Sequence, residues 1–343
     1  MELGLLSLGD HLPDPTTGKR ISQGERLRSI VDAGVRADEL GFNTIAIGEH
    51  HFNDYIVSSP LMMLAAIAAR TERIRLTTGV TILPMHDPVR LAEDFATLDQ
   101  LSGGRAELAL GRGISSDGYV EFGVDASSSR EILTDKLELL RKLTSGEQSV
   151  NWTGDFRPDL TNITMQPQTV RGTPRIWMGT GMSEESVRWA AGLGLPLMLP
   201  SIFRSAEEWK GLVALYRKLM AESGNSENAF VGACSYVHVA ETSQEARTTW
   251  QPYVESYANW ANHMRGVTTK IDFNRLIDGP AYCGSAAEVT ERMLSMQDAL
   301  NPDLHLSVFD IGALPHSKLI QIMELFASDV MPQLVGAKAP VSA

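Results

Sequence analysis

Gly48-Glu49-His50-His51-Phe52 sets a carboxylate and two imidazoles in consecutive positions. Imidazole titrates near neutral pH, and a neighbouring carboxylate can fix its tautomer or charge, so Glu49 and His50 suit proton handling. The alternative is a polar rim in which both rings are simply hydrogen-bonded. A metal centre fits less well, because consecutive strand residues point to opposite faces and no second ligand cluster such as HxxxH occurs in the chain. Arg112, between Gly111 and Gly113, is a permanently charged fork whose neighbours let a ligand approach the backbone. It suits a phosphate or a carboxylate, with an ion pair to Glu49 or Asp117 as the structural alternative. The third candidate, Gly179-Thr180-Gly181-Met182-Ser183-Glu184-Glu185-Ser186, is a turn into a helix whose amides and hydroxyls can hold a phosphate. Equally, Ser183 can serve only as the helix cap, with Glu184 and Glu185 complementing the helix dipole.

Each candidate follows a short apolar run that reads as a strand. Eight such runs alternate with amphipathic stretches: Leu3 to Leu8, Thr44 to Gly48, Ile74 to Ile82, Ala106 to Leu110, Arg175 to Met178, Leu195 to Leu199, Phe230 to Val239 and Leu304 to Phe309. Helix starts are marked by Ser59-Pro60 and Asp87-Pro88, and by capping boxes at Ser22/Glu25, Ser205/Glu208, Thr242/Glu245 and Ser285/Glu288. The alternation predicts an α/β fold, a (β/α)8 TIM barrel with insertions at the carboxyl ends of strands, which is where barrels carry their sites. A doubly wound open sheet is the runner-up, but Gly111-Arg112-Gly113-Ile114-Ser115-Ser116 has Ser where a dinucleotide fingerprint needs its third Gly. Extra segments fall at Gly113 to Ser129, Ser149 to Thr173 and His263 to Tyr282, the first and third being candidate substrate-facing loops. No linker divides the chain, so residues 1–335 read as one domain and 336–343 as a flexible tail.

Apolar residues make up 43% and charged residues 21% of the 343, an ordinary globular balance that excludes disorder as the main theme. A net charge of −12 disfavours a nucleic-acid backbone as partner. Cys234 and Cys283 match no metal-ligand spacing and cannot staple a chain this long, which suggests a reducing, cytoplasmic setting. Glu2 stands where a signal peptide needs positive charge, and the apolar run Leu61 to Ala69 falls well short of the roughly 20 residues that span a bilayer.

The ordered motifs Ala37-Asp38-Glu39-Leu40-Gly41-Phe42, Gly48 to Phe52, Leu83-Pro84, Asp87-Pro88-Val89-Arg90, Leu101-Ser102-Gly103-Gly104-Arg105, Gly111-Arg112-Gly113 and Phe326-Ala327-Ser328-Asp329-Val330-Met331-Pro332 carry a family likeness. From Leu3 to Leu334 the chain resembles the bacterial luciferase-like flavin-dependent monooxygenases. The resemblance implies a barrel that binds reduced FMN supplied by a separate flavin reductase. It also implies that O2 reacts at flavin C4a and that the resulting peroxyflavin oxygenates a small organic substrate. Carried over by position, His50 matches the catalytic histidine and Glu49 lies beside the flavin ring. Arg112, Ser183 and the amides of Gly179, Thr180, Gly181 and Met182 fall on the phosphate side. Gly79-Val80 falls where the family often has a non-prolyl cis peptide beneath the ring. A homodimer through early barrel helices is also implied, Pro60 to Ile67 being apolar enough, with packing on the barrel as the alternative. Asp10, His11 and Trp177 are further candidates for flavin or substrate contact, set against core or rim roles. The chain departs from the light-emitting members after Arg112, where Gly113-Ile114-Ser115-Ser116-Asp117-Gly118 lacks a large aromatic residue, and in a shorter stretch from Asp272 to Cys283. Light emission and long-chain aldehyde oxidation therefore do not follow. The alternatives are an F420-dependent hydride-transfer oxidoreductase on the same barrel, and a noncatalytic flavin-binding protein.

Overall fold

A computed structural model describes residues 1–113 and 118–335. The predicted tail 336–343 and Asp117 lie outside the described residues. Strands β1 (Glu2–Ser7), β2 (Thr44–Ile47), β3 (Arg75–Thr78), β4 (Thr81–Ile82), β5 (Leu108–Gly111), β8 (Ile176–Gly179), β9 (Leu197–Met198), β10 (Val231–Ala240) and β12 (Leu304–Val308) form one parallel sheet in the order β3-β2-β1-β12-β10-β9-β8-β5-β4. A parallel bridge between Leu76 of β3 and Ala106, just before β5, links one end of that path to the strand next to the other end, so the sheet closes into a barrel. The third predicted strand is split where the Gly79–Val80 peptide is cis. Opposite the split, the Thr78 hydroxyl donates to the Ala109 carbonyl (2.7 Å) and accepts from the Ala109 amide (3.0 Å), so a side chain continues the ladder.

Side chains alternate across each strand, giving two cores. Leu6, Ala46, Ala109, Trp177, Met198, Cys234 and Leu306 fill the barrel interior. Leu5, Ile45, Leu76, Leu108 and Leu110 face outward and meet the buried stripes of the surrounding helices. Those helices are α1 (Gln23–Glu39), α2 (Pro60–Ala68), α3 (Pro88–Ser102), α4 (Ser129–Leu143), α5 (Glu184–Gly192), α6 (Ala206–Glu222), α7 (Ser243–Met264), α9 (Ala286–Leu300) and α10 (His316–Leu325). The boxes at Ser22 and Ser205 form as expected. At Ser285 only the forward bond forms, because Glu288 is drawn away to the Ser243 hydroxyl and Arg247.

The first of the three extra segments follows the carboxyl end of β5 as expected, whereas the third follows α7 and not a strand. Nor does the second follow a strand: it holds an antiparallel hairpin, β6 (Val150–Trp152) and β7 (Leu160–Ile163), in the connection from α4 to β8. The third contains a short helix, α8 (Phe273–Asp278), and β11 (Tyr282–Ser285), an unforeseen strand that pairs with the outer half of β10. Among the described residues no helix is long and apolar enough to cross a membrane.

Candidate active site

Glu49 leaves the carboxyl end of β2 with its side chain fully buried. Its Oε1 accepts from His51 Nε2 (2.9 Å) and from His86 Nε2 (2.8 Å), and its Oε2 accepts from the Ile82 amide (3.2 Å). An ionised carboxylate only accepts, so both imidazoles carry their proton on Nε2. Burial alone would raise the carboxyl group, but the bonds from His51 and His86 hold it down at about 2. Lys136 of α4 secures the far side of this network, donating to the carbonyls of Pro84 (2.6 Å) and His86 (2.7 Å). The ring of His51 packs edge-on against Phe122 and beside Phe52.

His50 points the other way. Its ring stacks on Tyr55 with centroids 3.7 Å apart and planes 16° from parallel, and its buried Nδ1 has no partner among the described residues. Burial pushes the imidazole down to about 4, against the pull of the Glu49 charge, so it is neutral at pH 7. The Leu8 backbone beside the ring, like the Glu49 charge, opposes that shift.

His50 belongs to the same rim as the cis peptide. A Cβ built on Gly48 would meet His50 Cε1 at 3.3 Å and the Gly79 carbonyl at 3.5 Å. Val80 is received by two glycines from neighbouring strands: a Cβ on Gly111 would meet Val80 Cγ2 at 2.8 Å, and one on Gly179 would meet Val80 Cγ1 at 3.1 Å. The carboxyl ends of β2, β5 and β8 and the β3/β4 junction thus form one continuous floor with little side-chain bulk.

Arg112 stands at the far end of that floor. Its Nη1 donates to Ser129 Oγ (3.2 Å) at the start of α4, and its carbonyl accepts from the Tyr119 hydroxyl (2.7 Å). The predicted partner Glu49 is already engaged by its two histidines, so the ion pair between them does not form. Ser183 is the N-cap of α5, its Oγ accepting from the Ser186 amide (3.2 Å). Next to it Gly179 and Thr180 are partly open, and Gly181 and Met182 are exposed. Arg130 and Glu185 tie the starts of α4 and α5 together (2.5 Å). The capping role of Ser183 is therefore realised, and the open amides beside it remain on the same side as Arg112.

Trp177 lies inside the barrel, its Nε1 donating to Glu107 (2.8 Å), and is part of the core. His11 binds the Ile21 carbonyl (2.7 Å). Asp10 accepts from the Gly312 amide (3.0 Å) beside Arg26 and Asp310, and burial pushes it up to about 6 against the Arg26 charge. All three are held by bonds within the fold. Sequence reasoning missed His86, although it stands between Leu83-Pro84 and Asp87-Pro88 at a strand-to-helix junction of the barrel mouth. It also missed the cavity of about 270 Å³ beside His50, lined among others by Tyr55, Phe203, Tyr236, Tyr257, Trp260 and Arg265. Among the described residues no cluster of three or more His, Cys, Asp or Glu is placed to hold a metal ion.

A family model described as luciferase-like monooxygenase matches residues 1–301. The alkanal monooxygenase alpha chain of the Kryptophanaron alfredi symbiont is 26% identical over 92% of this chain and 95% of its own length. The crystal structure of monooxygenase RslO1 from Streptomyces bottropensis superposes with a TM-score of 0.85 at 29% identity, covering 97% of this chain and all of that one (100%). Two neighbours share the fold at lower identity. The oxygenating constituent of 3,6-diketocamphane monooxygenase from Pseudomonas putida, in complex with FMN, has a TM-score of 0.80 at 19% identity, with 97% and 98% covered. An F420-dependent secondary alcohol dehydrogenase has a TM-score of 0.75 at 15% identity, also with 97% and 98% covered.

Proposed function

Since this chain belongs to the luciferase-like monooxygenase family, we propose that it is the oxygenating component of a flavin-dependent monooxygenase, taking reduced FMN from a separate flavin reductase and placing one atom of O2 into a small organic substrate. When bound, reduced FMN supplies the two electrons that leave one oxygen atom in the product and the other in water. The carrying observation is the arrangement of the rim: a buried, unpartnered His50 Nδ1 at one end of a glycine-lined floor, with Arg112 and the start of α5 at the other.

The residues present fit such a cofactor. The Gly79–Val80 peptide, seated by Gly111 and Gly179, supports a flat ring. Arg112 and the amides of Gly179, Thr180, Gly181 and Met182, ending at Ser183, hold the phosphate, since a helix start and a guanidinium both favour an anion. His50 Nδ1, neutral at pH 7, accepts a hydrogen bond and can take a proton beside the reacting edge. Glu49 does not touch the reacting atoms in this reading; it locks His51 and His86 and thereby the wall on which the floor rests. Homodimerisation through α2 and α3 belongs to the same reading: Met62 and Leu101 are exposed on the groove between these helices.

Anaerobic titration of the protein with reduced FMN tests the proposal, followed by mixing with O2 and recording the return of the oxidised flavin absorbance. Saturable binding is expected, with reoxidation slower than that of free reduced FMN, and Arg112→Ala should weaken binding about tenfold or more, as loss of a charge-assisted contact does. Binding of reduced F420 in place of reduced FMN would transfer the chain to the hydride-transfer reading.

A further inference from the structure

The cavity beside His50 shares that residue with the rim but includes none of Gly79, Val80, Arg112 or Gly179 to Ser183. It therefore lies to one side of the floor, and resting on the reading above, we propose that it is the substrate pocket and that it selects a planar hydroxyaryl compound of about two fused rings. A dry cavity of roughly 150 Å³ accepts one benzene, so about 270 Å³ admits a second fused ring.

The walls carry the choice of an aromatic occupant. Tyr55 and Trp260 meet edge to face at 4.8 Å and 69°, Tyr55 and Tyr257 at 6.4 Å and 72°, and Tyr236 and Tyr257 at 5.8 Å and 70°. Rings set in this way stack or edge-pack further rings favourably, which a flexible alkyl chain cannot exploit. Arg265 is the one formally charged side chain in the lining; it donates to Ala261 O (3.1 Å) and Asn262 Oδ1 (2.8 Å) and lies over the Phe203 ring at 5.2 Å. No carboxylate lines the cavity among the described residues, so the occupant is not a cation.

The hydroxyl of the occupant is chosen by proton counting. Tyr55 and Tyr257 share a hydrogen bond of 2.7 Å, and the Tyr236 ring meets that of Tyr257 edge to face. Three hydroxyls among which this one bond uses a proton retain O–H protons not used within the group. Burial pushes all three hydroxyls well above the ordinary phenol pKa, so they stay protonated and a remaining proton is available to an oxygen acceptor. A substrate hydroxyl or carbonyl oxygen supplies that acceptor, and its ring then lies beside the stacked pair His50 and Tyr55. The overall change is replacement of a ring C–H by C–OH: O2 provides the inserted oxygen, reduced flavin provides two electrons and two protons, and the second oxygen leaves as water.

The experiment uses 2-naphthol, naphthalene and decanal as probes, followed by quenching of intrinsic tryptophan fluorescence in the full chain without flavin. The expected order is 2-naphthol tighter than naphthalene, and naphthalene tighter than decanal, each step by about three- to tenfold, the range of one net hydrogen bond or one aromatic pairing. Replacing all three hydroxyls together (Tyr55→Phe, Tyr236→Phe and Tyr257→Phe in one chain) should remove the first step while leaving naphthalene unchanged, because any single replacement leaves an unused O–H proton. Decanal binding as tightly as 2-naphthol, or unchanged 2-naphthol affinity in the triple variant, would overturn the proposal. Reduced FMN titration is run separately. A chain that binds 2-naphthol as expected but not reduced FMN would lose the flavin reading alone, whereas one that binds FMN but prefers decanal would lose the substrate assignment alone.

Discussion

His50 and His51 are consecutive residues, yet their surroundings are opposite. The ring of His51 turns into a wall where Glu49 accepts from it and from His86, where Ile82 fills the other carboxylate oxygen, and where Lys136 ties the backbone beneath. The ring of His50 turns into the mouth, stacked on Tyr55 with Nδ1 unpartnered. A buried polar atom without a partner carries a desolvation penalty of about 1–3 kcal/mol, so a fold retains one where a ligand completes it. The satisfied side supplies rigidity, and in the proposed reading the unsatisfied side supplies chemistry, although a single step along the chain beyond β2 separates them.

The largest effect that would sharpen this contrast is expected from His50→Ala. Product formation with reduced FMN and a turned-over substrate should fall by about 10²- to 10⁴-fold, the usual contribution of a positioned proton-handling group, while affinity for reduced FMN stays close to that of the parent chain. Stability should move in a direction set by pH. The His50 imidazole is held near 4 in the folded chain against 6.5 when free, so the unfolded chain takes up its proton first as pH falls. That penalty is absent above pH 6.5 and grows toward pH 4, and His50→Ala should escape it, gaining acid stability relative to the parent across that window. Unchanged turnover in the variant would break the comparison on its chemical side.

Next in size is Glu49→Gln. One carboxylate oxygen serves both imidazoles and the other serves the Ile82 amide, and an amide side chain cannot accept at both ends. Breaking a buried charge network typically costs about 3–5 kcal/mol, which urea unfolding at pH 7 would register as a lower midpoint. The depressed carboxyl group, at about 2 rather than 4.5, contributes stability that is full above pH 4.5 and is lost as pH falls toward 2. The deficit of the variant should therefore shrink over that interval, in the same direction as the His50 effect but lower in pH. A constant deficit at all pH values would mean that packing, not charge, holds this wall.

Much of this contrast was legible in the chain itself, and the reason for the missing part is physical. The Glu49-His50-His51 run, Arg112 and the turn before Ser183 all follow apolar runs, so strand patterning alone brings them to one rim. Which imidazole would be satisfied was not legible, because the deciding partner, His86, comes from a different strand-to-helix junction 37 residues from Glu49. The aromatic cavity was hidden for a related reason. Tyr257 and Trp260 do share a helix face by their spacing of three, but Tyr55, Tyr236 and Arg265 reach them only through the barrel's closure and the segment after α7. Local signals such as the Ser22 cap transferred directly. The Ser285 box transferred by half, because tertiary partners drew Glu288 elsewhere.

The smallest expected effect gives the most discriminating comparison. In His51→Gln the new amide nitrogen can still donate to Glu49 Oε1, so the carboxylate keeps three donors and the wall keeps its charge balance. What is lost is ring packing against Phe122 and Phe52, on a side chain that is only slightly exposed. A destabilisation of about 1 kcal/mol is expected in urea unfolding, with turnover within about twofold of the parent, since surface-proximal aromatic pairs contribute on that scale. The two neighbouring histidines would then differ by orders of magnitude in their effect on chemistry. If His51→Gln instead lowered product formation as far as His50→Ala, the proton handled in the reaction would pass through the Glu49 network, and the division between a rigid wall and a reactive mouth would have to be redrawn at Glu49.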